Sequence, residues 1–256
     1  MIKSVQKAMN ILRILSDEPH ECVSLKYISE KSGIEKSTCS HIIGTLCAEG
    51  YITRISQSQG YKLGPAAYCL TRYGKYDESL ISVCHPILRW LAKKTHNTVL
   101  LAVLKNSQKY IIDYIDEENR LFEHSGSIFT DDIYRTGTGR ILLAHMSRDE
   151  IVDIYGKYGN PKNEDWSGIT SFSELLAGLE KIKSAPYVKT SSLRSDNTYH
   201  IGYASGIFKK SKCAGAIGIA CTSPPDDYQK NDSILYNNMT YLKKAAKEIT
   251  RRLNYS

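Results

Sequence analysis

The sequence predicts an α+β protein in two parts, and three observations carry that prediction. Across residues 24–64, two segments of helical apolar period are followed by a short alternating segment, the order of a winged helix-turn-helix. Residues 99–104 are almost wholly apolar and rich in β-formers, which reads as a central strand covered on both faces. Residues 110–115 read as its neighbour across the Lys105-Asn106-Ser107-Gln108 turn, and the remaining helical and strand runs are segregated, as in an antiparallel sheet with helices gathered on it.

Composition sets the bounds. A chain of 256 residues with 41% apolar and 24% charged residues is ordinary for one or two globular domains with a sizeable core. The net charge of +7 favours a polyanionic partner. Within residues 1–64, eight bases face six acids, so that part carries only +2 and placement of charge has to do what the total does not. No apolar run of about 18 residues occurs, and the start MIKSVQKAMNILRIL has helical period without a small-residue cleavage site, so no membrane span and a cytoplasmic location are expected. Seven scattered cysteines fit reduced, packed thiols better than a disulfide framework.

Taken in order, Val5, Ala8, Ile11, Leu12 and Leu15 give a first helix that ends near Ser16-Asp17-Glu18-Pro19. Leu25, Ile28 and the Ser29 methylene give a second, stopped at Gly33, which can take the left-handed conformation of a sharp turn. The third carries Cys39, Ile42, Ile43 and Leu46 on one face. Its other face is Lys36, Ser37, Thr38, Ser40, His41 and Thr45, short polar or cationic side chains suited to base edges and phosphates in a major groove, with Gly44 allowing close approach. Alternation across residues 51–56, a Ser-Gln-Ser-Gln-Gly turn and a returning Tyr61/Leu63 complete the wing, on which Arg54 and Lys62 are expected at phosphates.

Residues 65–75 then read as a linker helix with Pro65 in its first turn and Gly74 as its stop. Another helix is expected to start near Pro86. Further helices are expected at about 137–145, 149–158 and 172–184, strands at 187–193, 200–208 and 213–222, and a last helix at 232–253. The strand CAGAIGIACT has small residues on both faces, which suits close-packed helices.

The stretches SVQKAMNILRILS, SLKYISEKSGIEKSTCSHIIGTLCAEGYITR and GYKLG together resemble the amino-terminal domain of the IclR family of bacterial transcription regulators, and YRTGTGRILLAH resembles the helix start of that family's effector domain. The resemblance implies a DNA-binding domain at 1–64, a linker helix at 65–79 and a GAF-like effector-binding and oligomerisation domain at 80–256. It implies double-stranded operator DNA and a small-molecule effector as partners, and assembly as a homodimer or homotetramer. Where the family pattern usually has Arg, this chain has His41, which offers one donor when neutral where Arg offers a fork for guanine.

For the effector, Thr136, Gly137, Thr138, Gly139 and Arg140 are the candidates, because a helix start with open N–H groups favours a small organic anion such as a carboxylate. Arg135 adds charge beside them. The competing reading is an ordinary Thr-capped helix packed on the sheet. The resemblance places the strand at 201–208 and the segment before it opposite this helix, adding Ser195, Asp196, Asn197 and Ser205, although the family's Ala-Ala-Pro here reads Ala204-Ser205-Gly206. Cys213 and Cys221 are further candidates for the pocket border.

Enzymatic signals are thin. Cys84 and His85 are neighbours in sequence, and adjacent helical residues do not face each other. Cys39, His41 and Cys47, like His20 and Cys22, lack zinc-site spacing, and Thr136–Arg140 lacks the Lys-Ser/Thr ending of a phosphate loop, so neither metal nor cofactor is expected. Two alternatives stay open at this point: a winged helix used for RNA or protein contacts, and a small-acid-processing enzyme in the second part.

Overall fold

The computed structural model describes residues 1–18, 22–56, 60–71, 76–116, 129–130, 133–193, 199–223 and 232–255. They form two compact units, the first within residues 1–71 and the second from Tyr76 onward.

In the first unit, α1 (Lys3–Ser16), α2 (Leu25–Ser32) and α3 (Lys36–Ala48) precede a hairpin of β1 (Ile52–Ser56) and β2 (Gly60–Leu63) and a short α4 (Pro65–Cys69). The apolar stripes of the three helices meet, so that Ile11, Leu15, Ile28, Cys39 and Ile43 are essentially buried. Gly33 ends α2 with φ +65, and the Ser29 hydroxyl locks the following turn by donating to the Ile34 carbonyl at 2.7 Å. The wing is pinned to the entry of α2: Val23 and Tyr61 exchange backbone bonds of 2.8 and 2.9 Å. Gly60 is required there, since its φ is +92 and a Cβ would run into the Val23 carbonyl.

The expected eleven-residue linker helix is corrected to α4, five residues long, with 72–75 outside the described residues. None of its side chains is fully buried, and so short a helix has little packing to offset the cost of nucleation.

The second unit is a six-stranded, wholly antiparallel sheet in the order β5-β4-β3-β8-β7-β6. Its strands are β3 (Thr98–Lys105), β4 (Gln108–Ile115), β5 (Phe129–Thr130), β6 (Val188–Leu193), β7 (Tyr199–Lys209) and β8 (Lys212–Ser223). On one face lie α5 (Glu78–Thr95) and α9 (Asp232–Tyr255), over Val99, Leu101, Ile201, Tyr203, Ile207, Ile217 and Ile219. On the other lie α6 (Gly137–Ala144), α7 (Arg148–Tyr158) and α8 (Phe172–Lys183), over Leu100, Ala102, Val188, Ala204 and Ala216. Alternate residues of β3 therefore feed the two cores, as a strand buried on both faces must.

Two helix starts explain themselves locally. Ser147 with Glu150 and Ser171 with Glu174 form capping boxes at α7 and α8. The expectation of a helix starting at Pro86 is corrected: α5 begins at Glu78, capped by Asp77, and carries Pro86 inside. An internal Pro costs about 3 kcal/mol. Burial of Leu80, Ile81, Cys84, Ile87, Leu88 and Leu91 along one continuous stripe outweighs it, at roughly 2 kcal/mol per large apolar side chain. Among the described residues, no helix is long and apolar enough to cross a membrane.

Candidate DNA-binding face and effector site

On α3 the burial splits as the amphipathic pattern requires. Cys39, Ile43 and Leu46 face the core, while Lys36, Ser37, Ser40, His41, Gly44 and Thr45 are exposed and Thr38 is half-buried. Beyond its chain neighbours and the backbone of its own helix, no described atom lies within 4 Å of where a Gly44 Cβ would stand, so the backbone there is open to an approaching surface. The Thr45 hydroxyl donates back to the His41 carbonyl at 3.2 Å, which leaves its oxygen lone pairs and methyl facing outward.

Glu35, absent from the sequence candidates, caps this helix. Its carboxylate accepts from the Ser37 N–H at 3.0 Å, the Thr38 N–H at 3.2 Å and, in a closer contact, the Ser37 hydroxyl. The Ser37 hydroxyl, then the Ser37 and Thr38 amides, hold its pKa down to about 2. The sequence did carry a signal, an acid placed directly before a Lys-Ser-Thr helix start.

Arg54 and Lys62, expected together along the wing, are separated by the strand alternation. Arg54 pairs with Tyr61 and lies over its ring at 5.8 Å, whereas Lys62 pairs with Thr53. Directly opposed residues share a face, so the two cations stand on opposite faces of the hairpin. They can meet different phosphates but not the same one.

The start of α6 is closed rather than open. Thr136 is its N-cap, accepting from the Gly139 N–H at 3.2 Å. Gly137, Thr138 and Gly139 are buried, with Gly137 against Ala204 and Gly139 against the Ile133 backbone. A Cβ at Gly137 would stand 3.0 Å from that of Ala204, and the Thr138 methyl fills the space above Gly218. These glycines let the helix seat on the sheet.

Arg140 is likewise used internally. Its Nε donates to the Tyr134 carbonyl at 2.6 Å, a terminal nitrogen donates to the Asp165 carbonyl at 2.5 Å, and the guanidinium lies 4.3 Å from the Trp166 ring centroid. Burial pushes its pKa down to about 10 against the opposing pull of Asp165. Arg135 pairs with the Asp165 carboxylate at 2.8 Å. Ser205 is a correction: on β7 it shares the α5/α9 face with Tyr203 and Ile207 and donates to the Pro186 carbonyl at 3.0 Å, while Ala204 and Gly206 face α6. Strand alternation alone decides this. Ser195, Asp196 and Asn197 lie outside the described residues.

What sequence reasoning missed at this place is Lys109 of β4. It is 3% exposed, and its ammonium donates to the Thr136 hydroxyl oxygen at 2.8 Å. Nothing in the alternation of β4 marks it, because a lysine beside a hairpin turn reads as solvated. Cys213 and Cys221 are pushed up to about 11, and Cys84 to about 12, mainly by burial. His85 turns to Asp113, with Nδ1 2.9 Å from a carboxylate oxygen, and receives Arg89 at Nε2, so it orients toward those partners rather than toward Cys84.

Known proteins resemble this chain in sequence and fold. A model of the bacterial transcriptional regulator IclR C-terminal region matches residues 76–251, and the IclR helix-turn-helix domain matches residues 4–56. The HTH-type transcriptional regulator TtgV of Pseudomonas putida is 28% identical over 200 residues, 78% of this chain and 73% of that protein. KdgR of Escherichia coli is 26% identical over 186 residues, 73% and 70% of the two chains. Among solved structures, an IclR transcriptional regulator from Alicyclobacillus acidocaldarius has a TM-score of 0.70 at 18% identity, covering 99% of this chain and 100% of its own. An IclR homolog from Microbacterium hydrocarbonoxydans, complexed with 4-hydroxybenzoate, has the same score at 15% identity and the same coverage. With a core-by-core account of both units and family matches spanning most of its length, the chain belongs to the IclR family of DNA-binding bacterial transcription regulators.

Proposed function

We propose that residues 1–64 bind duplex operator DNA through α3 and the wing, that residues 80–256 bind a small organic anion, and that residues 65–79 transmit its occupancy as a change in operator affinity. The observation that carries the DNA reading is the exposed face of Lys36, Ser37, Ser40, His41, Gly44 and Thr45 on a helix that follows a tight turn and precedes a hairpin. Side chains of this kind at a helix N-terminus reach base edges and phosphates. Duplex DNA is favoured over RNA because the face is one convex helix without a stacking platform of exposed aromatics, which single-stranded RNA recognition uses.

One such helix covers few base pairs, and a local charge of +2 holds few phosphates. Two linked copies on a pseudo-palindromic operator supply the missing affinity, so the working unit is a homodimer or a dimer of dimers. Sedimentation of the purified chain with and without operator tests this; a monomer in both conditions contradicts it. The site of action is the cytoplasm, where the genome is.

For the effector, Lys109 supports an anion. The Lys109 ammonium, held on the Thr136 hydroxyl at the positive end of α6, places positive charge at this helix start, which favours a carboxylate nearby. The 4-hydroxybenzoate bound by the Microbacterium relative is of this chemical type. Regulation needs only unequal binding: a tenfold change in operator affinity is about 1.4 kcal/mol between two forms. The test is a thermal-shift screen with 4-hydroxybenzoate, pyruvate and gluconate, repeated on Lys109→Met and Thr136→Val. An acid that stabilises the wild type should lose most of that effect in both variants, and equal stabilisation of all three places the effector elsewhere. The same incubations should return every acid chemically unchanged, as expected of a sensor rather than an enzyme.

A further inference from the structure

The cap of α3, Glu35 with Ser37, offers acceptors, whereas the neighbouring exposed Lys36 is a donor. The Glu35 carboxylate has about four acceptor positions. Oε2 takes the Ser37 hydroxyl and the Thr38 N–H, and Oε1 takes the Ser37 N–H, which leaves one position on Oε1. The Ser37 hydroxyl proton is committed to Glu35, so Ser37 presents oxygen lone pairs outward. Both residues are exposed.

A helix start of this kind ordinarily anchors a phosphate through its open N–H groups. Here the carboxylate occupies two of those amides and brings a negative charge, so the cap itself disfavours a phosphate and leaves phosphate contact to Lys36 beside it. A base edge that donates fits the same place. In the major groove those are the exocyclic amino groups, N4 of cytosine and N6 of adenine, whereas guanine O6 and thymine O4 would set acceptor against acceptor.

We infer that Glu35, with Ser37 beside it, is a specificity-determining residue that selects an amino-bearing base, cytosine or adenine, at the operator position facing the start of α3 in each half-site. The inference rests on the reading of α3 as the helix that enters the groove. Glu35 is held well below the usual carboxylate range and stays ionised at any working pH, so the selection does not depend on pH.

The test is binding-site selection from randomised duplexes with the full-length chain and two variants. Glu35→Asn keeps a strong helix cap but turns an amide N–H₂ toward the base; Ser37→Ala keeps the Glu35 cap on the amides and removes the hydroxyl acceptor. Melting temperatures within a few degrees of the wild type establish that both variants fold. The wild type should enrich cytosine or adenine at one position per half-site, and which of the two emerges identifies the base. Glu35→Asn should lose that preference by about tenfold with the other positions unchanged, and Ser37→Ala should weaken it at the same position. Unchanged base frequencies in Glu35→Asn, or an equal change in affinity for every sequence, would overturn the inference while leaving the DNA-binding reading intact. A wild-type chain that enriches no sequence would overturn both.

Discussion

The exposed face of α3 and the start of α6 look alike as sequence, each a short polar stretch carrying small residues, Lys36 to Thr45 in one and Thr136 to Arg140 in the other. Their surroundings make them opposites. On α3 the opposite face alone satisfies the core, so among the described residues no core contact uses Ser40, His41 or Gly44. On α6 most of the motif already serves the fold: Thr136 caps as well as meeting Lys109, Gly137 and Gly139 permit contact with β7 and Ile133, and Arg140 ties down the 134 and 165 carbonyls. The comparison teaches that a polar motif is available for a ligand only after its packing partners have been counted.

Glycine substitutions break the comparison most sharply. Gly139→Ala drives a Cβ into the Ile133 carbonyl and should destabilise the second unit by about 3 kcal/mol, read as a lower urea midpoint. Next in size, Arg140→Ala removes two charge-assisted bonds to backbone carbonyls and the Trp166 stack, a loss of about 2 kcal/mol, while operator affinity without effector stays within twofold. Gly44→Ala, by contrast, should stabilise the first unit by about 1 kcal/mol, because Ala is the better helix former and the added methyl meets nothing. The same substitution should weaken operator binding if, as proposed, this face meets DNA.

The smallest effect is one of pH. His145, at the end of α6 and edge-on to Phe208 at 5.0 Å, is lowered below 6.5 by burial, then by Lys183. The unfolded chain then binds the proton more readily, so stability is full above pH 6.5 and falls on acidification through that value until His145 itself charges. His145→Gln should flatten the pH dependence of the melting temperature between pH 7 and 5.

Much of this was legible in the sequence. The three helical stripes, the Gly33 turn, the Asn106-Ser107 hairpin and the double-sided strand at 99–104 are set by local period and turn chemistry. The start of α5 was not, because Pro86 is a strong local signal that only a continuous buried stripe overrides. The placement of Arg54 and Lys62 on opposite faces depended on hairpin register, and an irregularity between Arg54 and Ser56 sets that register in a way that composition does not reveal. Lys109 was hidden because its partner, the Thr136 hydroxyl, follows it by 27 residues. The Lys210-Ser211 turn, with φ of +47 and +64, lacks the Asn-Gly chemistry that would have announced it.

The central claim is that the exposed face of α3 reads the operator while the wing cations only hold it. Binding-site selection and salt titration with Ser40→Ala/His41→Ala, set against Arg54→Ala and Lys62→Ala, test it most directly. The account predicts altered base preferences in the α3 variant. It predicts unaltered preferences, uniformly weaker binding and a salt slope reduced by about one in each wing variant. An α3 variant that selects the same operator as the wild type, with the same affinity, would contradict it.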